Sequence, residues 1–425
     1  MRLLYSTAWL LALPLLFLYL VWRALRQPDY LRHWRERLGW GPRRGARPRI
    51  LVHAVSVGET RAAEPLVKAL LGRYPDHEIL LSHITPTGRA TGRELFAERV
   101  TQTYLAYDFP PLVRLFLART QPSLCVVMET EIWPNLFAAC ARLGIPVLLV
   151  NARLSEKSAR GYGRIARLVG PALSSLNAIA AQTAADATRL TALGGDHRIE
   201  VTGNVKFDVT PPENTVQKAE ALRHLFAGRF VFLAASTRDG EEALLLDALK
   251  RFGLEDSLLV IVPRHPQRFE EVARMIGQRG LPWARRGAPD MATEHIRVFL
   301  GDSMGELAAY YAAADLAYVG GSLLPFGGQN LIEAAAAGCP ALIGPHTWNF
   351  LDAADQAVAA GCARRVRDVD DLVAAVAELR RSPERRAAMA AAGLRFSAEN
   401  RGATRRVMAL IETALHGAVA KNRCG

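Results

Sequence analysis

Residues 3–22 carry no charged side chain and are mostly apolar. A run of that length predicts a helix of about 30 Å, enough to cross the hydrocarbon core of a bilayer. Pro14 is placed to kink it. Arg23-Ala24-Leu25-Arg26 follows where a cleaved signal peptide would carry small residues, so residues 1–25 read as an uncleaved anchor. After a basic stretch, residues 26–49, the pattern changes to short apolar or β-branched runs separated by amphipathic segments. The runs predict strands at 50–55, 79–82, 124–128, 146–151, 178–182 and 199–202. Thr210-Pro211-Pro212-Glu213 reads as a linker, and the pattern then restarts with strands at 231–235, 258–262, 298–300, 316–319 and 341–343. Strands alternating with helices predict an α/β chain: two doubly wound domains, 50–210 and 211–425, facing a cleft. The Ala- and Arg-rich segment after Pro383 predicts helix, its last part free to return to the first domain.

Composition is that of a globular α/β protein, with 425 residues, half of them apolar. A net charge of +12 would by itself suggest a nucleic acid or an anionic membrane as partner. Its location decides between them. The first fifty residues hold ten arginines against Asp29 and Glu36, so +8 of the +12 lies there. No basic stripe interleaved with aromatics follows, which argues against a nucleic-acid binder. The arginine cluster places the rest of the chain on the cytoplasmic side of its membrane by the positive-inside rule, against anionic lipid. Trp22, Tyr30, Trp34 and Trp40 suit the headgroup level. Cys125, Cys140, Cys339, Cys362 and Cys424 show no C-x-x-C spacing. An odd, scattered set fits a reducing compartment and neither a zinc site nor a disulfide frame.

Candidate chemistry falls in loops after the strands. In the first half these are residues 56–59, predicted to feed a helix reaching about Leu71, then 129–135 and 151–158. In the second they are 236–241, 263–266 and 301–307, followed by Gly320-Gly321-Ser322 and Gly327-Gly328 before a helix predicted at 334–337. Such a glycine loop lets backbone N–H groups approach an anion, and a helix start adds partial positive charge. Glu333 is placed to accept hydrogen bonds from a ribose. Asp368-Val369-Asp370 formally spells D-x-D, but before an apolar-periodic helix it reads as a cap.

Seven segments, six of them in these loops, occur in the same order in one family. They are Ser-Val-Gly-Glu (56–59), Met-Glu-Thr-Glu-Ile-Trp-Pro-Asn (128–135), Asn-Ala-Arg-Leu-Ser (151–155), Lys-Phe-Asp (206–208), Val-Pro-Arg-His-Pro (262–266), Gly-Asp-Ser-Met-Gly-Glu-Leu (301–307) and the glycine stretch. The chain resembles, from its apolar start to about Phe350, the 3-deoxy-D-manno-octulosonic acid (Kdo) transferases of lipopolysaccharide assembly. The resemblance implies a GT-B glycosyltransferase with two Rossmann-like domains. Its reaction would move Kdo from CMP-Kdo to a lipid A precursor (lipid IVA) with inversion. It implies Glu59 as the base, Glu131 and Lys206 at the transition state, and Arg264, His265, Met304, Gly305, Glu306, Asn330, Leu331, Ile332 and Glu333 around CMP. One departure stands out: the family pattern Gly-Gly-His-Asn-Pro-Leu-Glu here has Gln329 for His and Leu331-Ile332 for Pro-Leu.

The residues themselves support the same chemistry. Direct displacement needs one base for the acceptor hydroxyl and a positive field for the leaving phosphate, and Glu59, Lys206 and Arg264 supply both kinds of group. No metal or other cofactor is implied, since a CMP-sugar has a single phosphate that cationic side chains can hold. Two other readings fit the residue pattern: a GT-B enzyme at the same membrane using another nucleotide-sugar donor, and a non-catalytic nucleotide-sugar binder.

Overall fold

The computed structural model of the protein describes residues 1–195, 198–208, 214–249, 257–288 and 295–423. The predicted linker 210–213 and Cys424 lie outside them. The chain divides into two compact units, Met1–Asp208 with Arg401–Gly425, and Val209–Asn400.

The first unit is built on seven parallel strands: β1 (Arg49–His53), β2 (Glu78–His83), β3 (Thr101–Tyr104), β4 (Leu124–Met128), β5 (Val147–Ala152), β6 (Ala178–Ala181) and β7 (Ile199–Val201), in the order β3-β2-β1-β4-β5-β6-β7. The central strands are continuous apolar runs because helices cover both faces of the sheet. Alternation still sorts the side chains. Leu51 joins the core on one face with Val127, Leu149, Phe116 and Phe137. Ile50 and Val52 point the other way, into a core shared with Val126, Leu66 and Val67.

The helix Ala403–Arg423 completes that second core with Ala403, Val407, Ile411 and Leu415, spaced four apart on one stripe. Full burial of residues such as Val407 and Ile411 is worth about 2 kcal/mol each. Arg73 pairs with Glu412 at 2.7 Å, and the Asp208 carboxylate accepts the backbone N–H of Gly402 at 2.6 Å.

The second unit repeats the plan with β8 (Phe230–Thr237), β9 (Ser257–Pro263), β10 (Trp283–Arg285), β11 (Val298–Leu300), β12 (Leu316–Val319), β13 (Ala341–Ile343) and β14 (Ala363–Arg365), ordered β10-β11-β9-β8-β12-β13-β14 and all parallel. Phe232, Ile261, Leu300, Tyr318 and Leu342 form its core with Leu245, Ile276, Leu372 and Val376 from the helices. Asp368 caps the helix Val369–Arg380 by accepting the Asp371 N–H at 2.9 Å, as its sequence position predicts.

Three strands escape the hydrophobic pattern: β3, β10 and β14. All are short, and each pairs on only one side at or beside the sheet rim, where Gln102, Arg285 and Arg364 remain partly accessible. Polar residues on an edge erase the apolar run that marks a central strand.

The first helix, Arg2–Arg26, is long enough to span a bilayer, and Pro14 lies within it without interrupting it. Cys125, Cys140, Cys339 and Cys362 are free thiols buried in the cores.

Candidate active site

In each sheet the chain reverses its direction of travel beside the first strand, between β1 and β4 and between β8 and β12. Ligands of doubly wound sheets bind at such switch points, beyond the carboxyl ends of the strands. Half of the candidate residues follow the strands that flank these points, and the others follow strands elsewhere in the same two sheets.

In the first unit Glu59 follows β1, while Glu129 and Glu131 follow β4. The expected loop 56–59 is already helical: the helix Val57–Ala62 begins at Val57, and Glu59 lies in its first turn. A second helix, Glu64–Arg73, follows a break at Ala63, because Pro65 removes a helix donor. Glu59 Oε2 accepts the Val55 N–H at 2.8 Å, which folds its carboxylate back over the strand end. Burial pushes the Glu59 carboxyl up to about 8, and the negative charges of Glu129 and Glu131 add to the rise against the Val55 hydrogen bond. The Glu131 carboxyl is raised as well, by burial and by Glu129.

Lys206 arrives from the 3-10 turn Val205–Asp208 after β7 and places its Nζ 3.1 Å from Glu129 Oε1. Asn151, fully buried at the end of β5, fixes that turn by accepting the Val205 N–H at 3.1 Å. Two buried histidines end β1 and β2. His53 Nδ1 meets Ser82 Oγ at 2.9 Å, and burial drives its imidazole down to about 3. His83, beside the Ala54 carbonyl at 3.1 Å, is lowered to about 4 by burial. Both are neutral at physiological pH.

Backbone strain concentrates at these strand ends. Seven non-glycine residues among those described have positive φ, and three of them are Glu129 (54°), Asn151 (56°) and Ser236 (55°), at the ends of β4, β5 and β8. Such conformations cost of order 1–3 kcal/mol each and cluster where geometry serves a site.

In the second unit the glycine loop after β12 is held by Glu241, the last residue of the candidate loop 236–241, to which the sequence assigns no role of its own. Its carboxylate is fully buried and accepts the N–H groups of Arg238 (2.9 Å), Gly321 (2.7 Å) and Leu323 (3.2 Å) and the Tyr318 hydroxyl (2.5 Å). The glycines are required by close approach: a Cβ on Gly320 would stand 2.5 Å from the Ser236 carbonyl oxygen. Asn330 accepts the Ile332 N–H at 3.1 Å and donates to Glu333 at 3.1 Å, so the start of the next helix is capped from within the motif. That helix is Ile332–Ala336, five residues beginning two positions before the predicted 334–337 segment, and with so few residues its dipole is small.

Leu331 and Ile332 are 1% and 0% exposed, packed into the core. Their side chains are thus occupied by packing, and their backbone is the part left to face the loop. Arg264 follows β9, its N–H bonded to the Thr237 carbonyl at 3.0 Å, and His265 beside it is exposed. Met304 is exposed at 58%, and Gly305 turns the chain with φ 74°. Glu306 is buried and engaged by Ser303 Oγ (2.6 Å), Lys218 Nζ (3.0 Å) and Arg286 Nε (3.1 Å). Burial opposes its ionisation, but those hydrogen bonds and charges win and hold its carboxyl down to about 2.

The structure thus gathers Glu59, Glu131 and Lys206 in one unit, and places Arg264 and His265, Met304–Glu306 and Asn330–Glu333 after β9, β11 and β12 of the other. It adds Glu129, which the sequence signals only by its place two residues before Glu131 at a strand end, and Glu241, signalled only by a carboxylate opening a helix.

Comparison with known proteins gives a family model and close relatives. A model described as 3-deoxy-D-manno-octulosonic-acid transferase (kdotransferase) matches residues 32–209. A 3-deoxy-D-manno-octulosonic acid transferase of Bordetella pertussis is 45% identical over 374 residues, 85% of this chain and 86% of that protein. One from Haemophilus influenzae is 36% identical over 418 residues, 97% of this chain and 98% of that protein. Among solved structures, a UDP-GlcNAc 2-epimerase from Neisseria meningitidis superposes with a TM-score of 0.57 at 14% identity, over 86% of this chain and 100% of that one. A spinosyn rhamnosyltransferase does so with 0.53 at 14% identity, over 85% and 99%. At such identity these two show the fold alone, a GT-B-type pair of Rossmann-like units.

Proposed function

The chain belongs to the Kdo transferase family of lipopolysaccharide biosynthesis, and from that premise we propose that it transfers Kdo from CMP-Kdo to the lipid A precursor lipid IVA, with inversion. The observation that carries the chemistry is the Glu59 carboxyl, raised to about 8 beside the Glu129–Lys206 pair.

Glu59 accepts the proton of the acceptor hydroxyl as that oxygen attacks the anomeric carbon. The bond from that carbon to the phosphate oxygen breaks, and CMP leaves with the electron pair. A base is best tuned near the working pH, and a carboxyl near 8 binds the proton far more strongly than an ordinary glutamate. Lys206, oriented by Glu129, supplies positive charge for Kdo's carboxylate, and Glu131 acts beside it on the developing positive charge of the sugar. Arg264 and His265 take the phosphate of CMP. The glycine loop, Asn330 and the backbone of Leu331 and Ile332 surround the nucleotide, with Met304, Gly305, Glu306 and Glu333 shaping the rest of its pocket. The apolar first helix and the arginines after it keep the enzyme at the cytoplasmic face of the inner membrane, on anionic lipid.

Incubating the purified protein with CMP-Kdo and a tetra-acylated bisphosphorylated glucosamine disaccharide should yield a product heavier by Kdo in the mass spectrum. Excess UDP- or ADP-sugars should not compete. Turnover of one of those sugars with none of CMP-Kdo would overturn the donor, and the absence of turnover with any donor would make the chain a binder.

A further inference from the structure

The first helix touches its own unit along most of its length. Near its start Ser6 and Asn135 hydrogen-bond at 3.1–3.3 Å, and Trp9 stacks on Tyr107 with ring centroids 5.7 Å apart. Further on, Phe17 meets Trp34 edge-on at 6.1 Å, and Leu20 and Ala24 are buried. The covered positions 5, 6, 9, 12, 13, 16, 20, 23 and 24 fall at helical spacing on one side, one continuous stripe. Trp34 belongs to the body of the unit, because Glu36 and Arg37 of the same turn bind Arg89 (2.5 Å) and the Ile84 carbonyl (2.8 Å).

Ser6 and Leu20 are 14 positions apart, or about 21 Å along the helix, against about 30 Å of hydrocarbon. A helix standing across the bilayer would carry its attached surface in with it. That surface includes Asn135 and the Asp108 carboxylate, which accepts the N–H groups of Asn135 (3.0 Å) and Leu136 (2.8 Å). Placing such groups in hydrocarbon costs several kcal/mol. The opposite face has no such burden. Leu3, Leu11, Leu15, Leu18 and Leu25 are 81%, 71%, 67%, 63% and 81% exposed.

We propose that this helix lies in the plane of an anionic membrane leaflet, with its leucine face sunk into the acyl boundary and its other stripe docked on the first unit. Charge complementarity selects that occupant. Arg2, Arg32, Arg35, Arg43, Arg44 and Arg47 are exposed at the helix start or shortly after its end, where anionic headgroups would meet them. Exposed Trp22 and Trp40 add aromatic anchors at headgroup depth. Asn135 opens the helix that follows Glu131, so the leaflet surface comes up beside the first-unit cluster, and a lipid-linked acceptor reaches Glu59 without leaving its monolayer. That consequence rests on the transferase reading, whereas the placement of the helix does not.

Topology decides it. In inverted inner-membrane vesicles carrying the full chain with Cys424→Ser, the variants Arg2→Cys and Arg35→Cys should react equally with a membrane-impermeant maleimide without detergent. Protection of Arg2→Cys until the vesicles are permeabilised would show a spanning helix and overturn the proposal. Leu11→Glu should weaken binding of the purified protein to phosphatidylethanolamine/phosphatidylglycerol vesicles at least about tenfold, which is about 1.4 kcal/mol. Unchanged binding would show that lipid does not cover the leucine face and would overturn it equally. Neither readout depends on turnover.

Discussion

Lys206 Nζ stands 3.1 Å from Glu129 Oε1, a contact between residues 77 positions apart within the first unit. Both side chains are about a quarter exposed, so the pair is shielded from solvent but open to a substrate. Its charge balance also governs Glu59, whose carboxyl is raised in part by Glu129.

Removing the Glu129 charge should therefore move Glu59. In Glu129→Gln the nearby negative charge is gone and Lys206 is released, and both changes favour ionised Glu59. The rising limb of the pH profile of kcat/KM should shift to lower pH than in the native protein. A profile that stays in place while activity falls would show that Glu129 acts only by positioning Lys206.

Glu59→Gln keeps the side chain's size but cannot accept the acceptor's proton. Turnover should fall by about two orders of magnitude or more, within the range of a positioned general base, while CMP affinity measured by calorimetry stays the same. In the native protein a base must be ionised to act, so with its carboxyl near 8 activity should climb through neutrality and level off above about pH 8. A plateau already reached at pH 6 would assign the base elsewhere.

Glu306 gives a stability signature in acid. Its folded carboxyl is held at about 2, below the usual 4.5. Its contribution is thus complete above 4.5 and is lost as pH falls through 2, because there the unfolded state binds the proton first. Glu306→Gln should cost roughly 1–3 kcal/mol near neutrality, the range for losing charged hydrogen-bond partners. The gap between native and variant in urea unfolding should narrow steadily from pH 5 to pH 2. A gap independent of pH would mean that Arg286 and Lys218 do not hold this carboxylate in solution.

The same substitution at two glycines should have opposite signs. In Gly344→Ala the new Cβ would lie 2.1 Å from the Ser322 carbonyl oxygen and 2.5 Å from the Leu323 nitrogen, backbone atoms that cannot yield as a flexible side chain would. The cost should exceed about 3 kcal/mol, beyond ordinary overpacking, with loss of the CMP site. Gly72 sits exposed in the helix Glu64–Arg73 with open space where a Cβ would go. Gly72→Ala should stabilise by about 0.5–1 kcal/mol. Thermal melts of both variants check the pair, and a stable Gly344→Ala would refute the close approach.

Local pattern by itself determined a large part of this protein. The central strands, from Leu124–Met128 to Leu316–Val319, are legible because a strand covered on both faces must be apolar throughout, a constraint written within a few consecutive residues. The apolar first helix, the Asp368 cap and the strand-end positions of Glu59, Arg264 and the glycine loop are legible for the same reason. Tertiary structure decided the rest. The edge strands β3, β10 and β14 are strands only because a neighbour offers them hydrogen bonds, which their polar residues do not announce. The last helix belongs to the first unit because Val407 and Ile411 complete a core made of residues more than two hundred positions away. Glu129 and not Glu131 meets Lys206, since a positive φ at the strand end sets where each carboxylate points. Glu241, an ordinary helix-start acid in the sequence, becomes the acceptor for a loop about 80 residues further on. Periodicity records which face of an element is buried, whereas the partner on that face is fixed by contacts that close only when distant segments pack together.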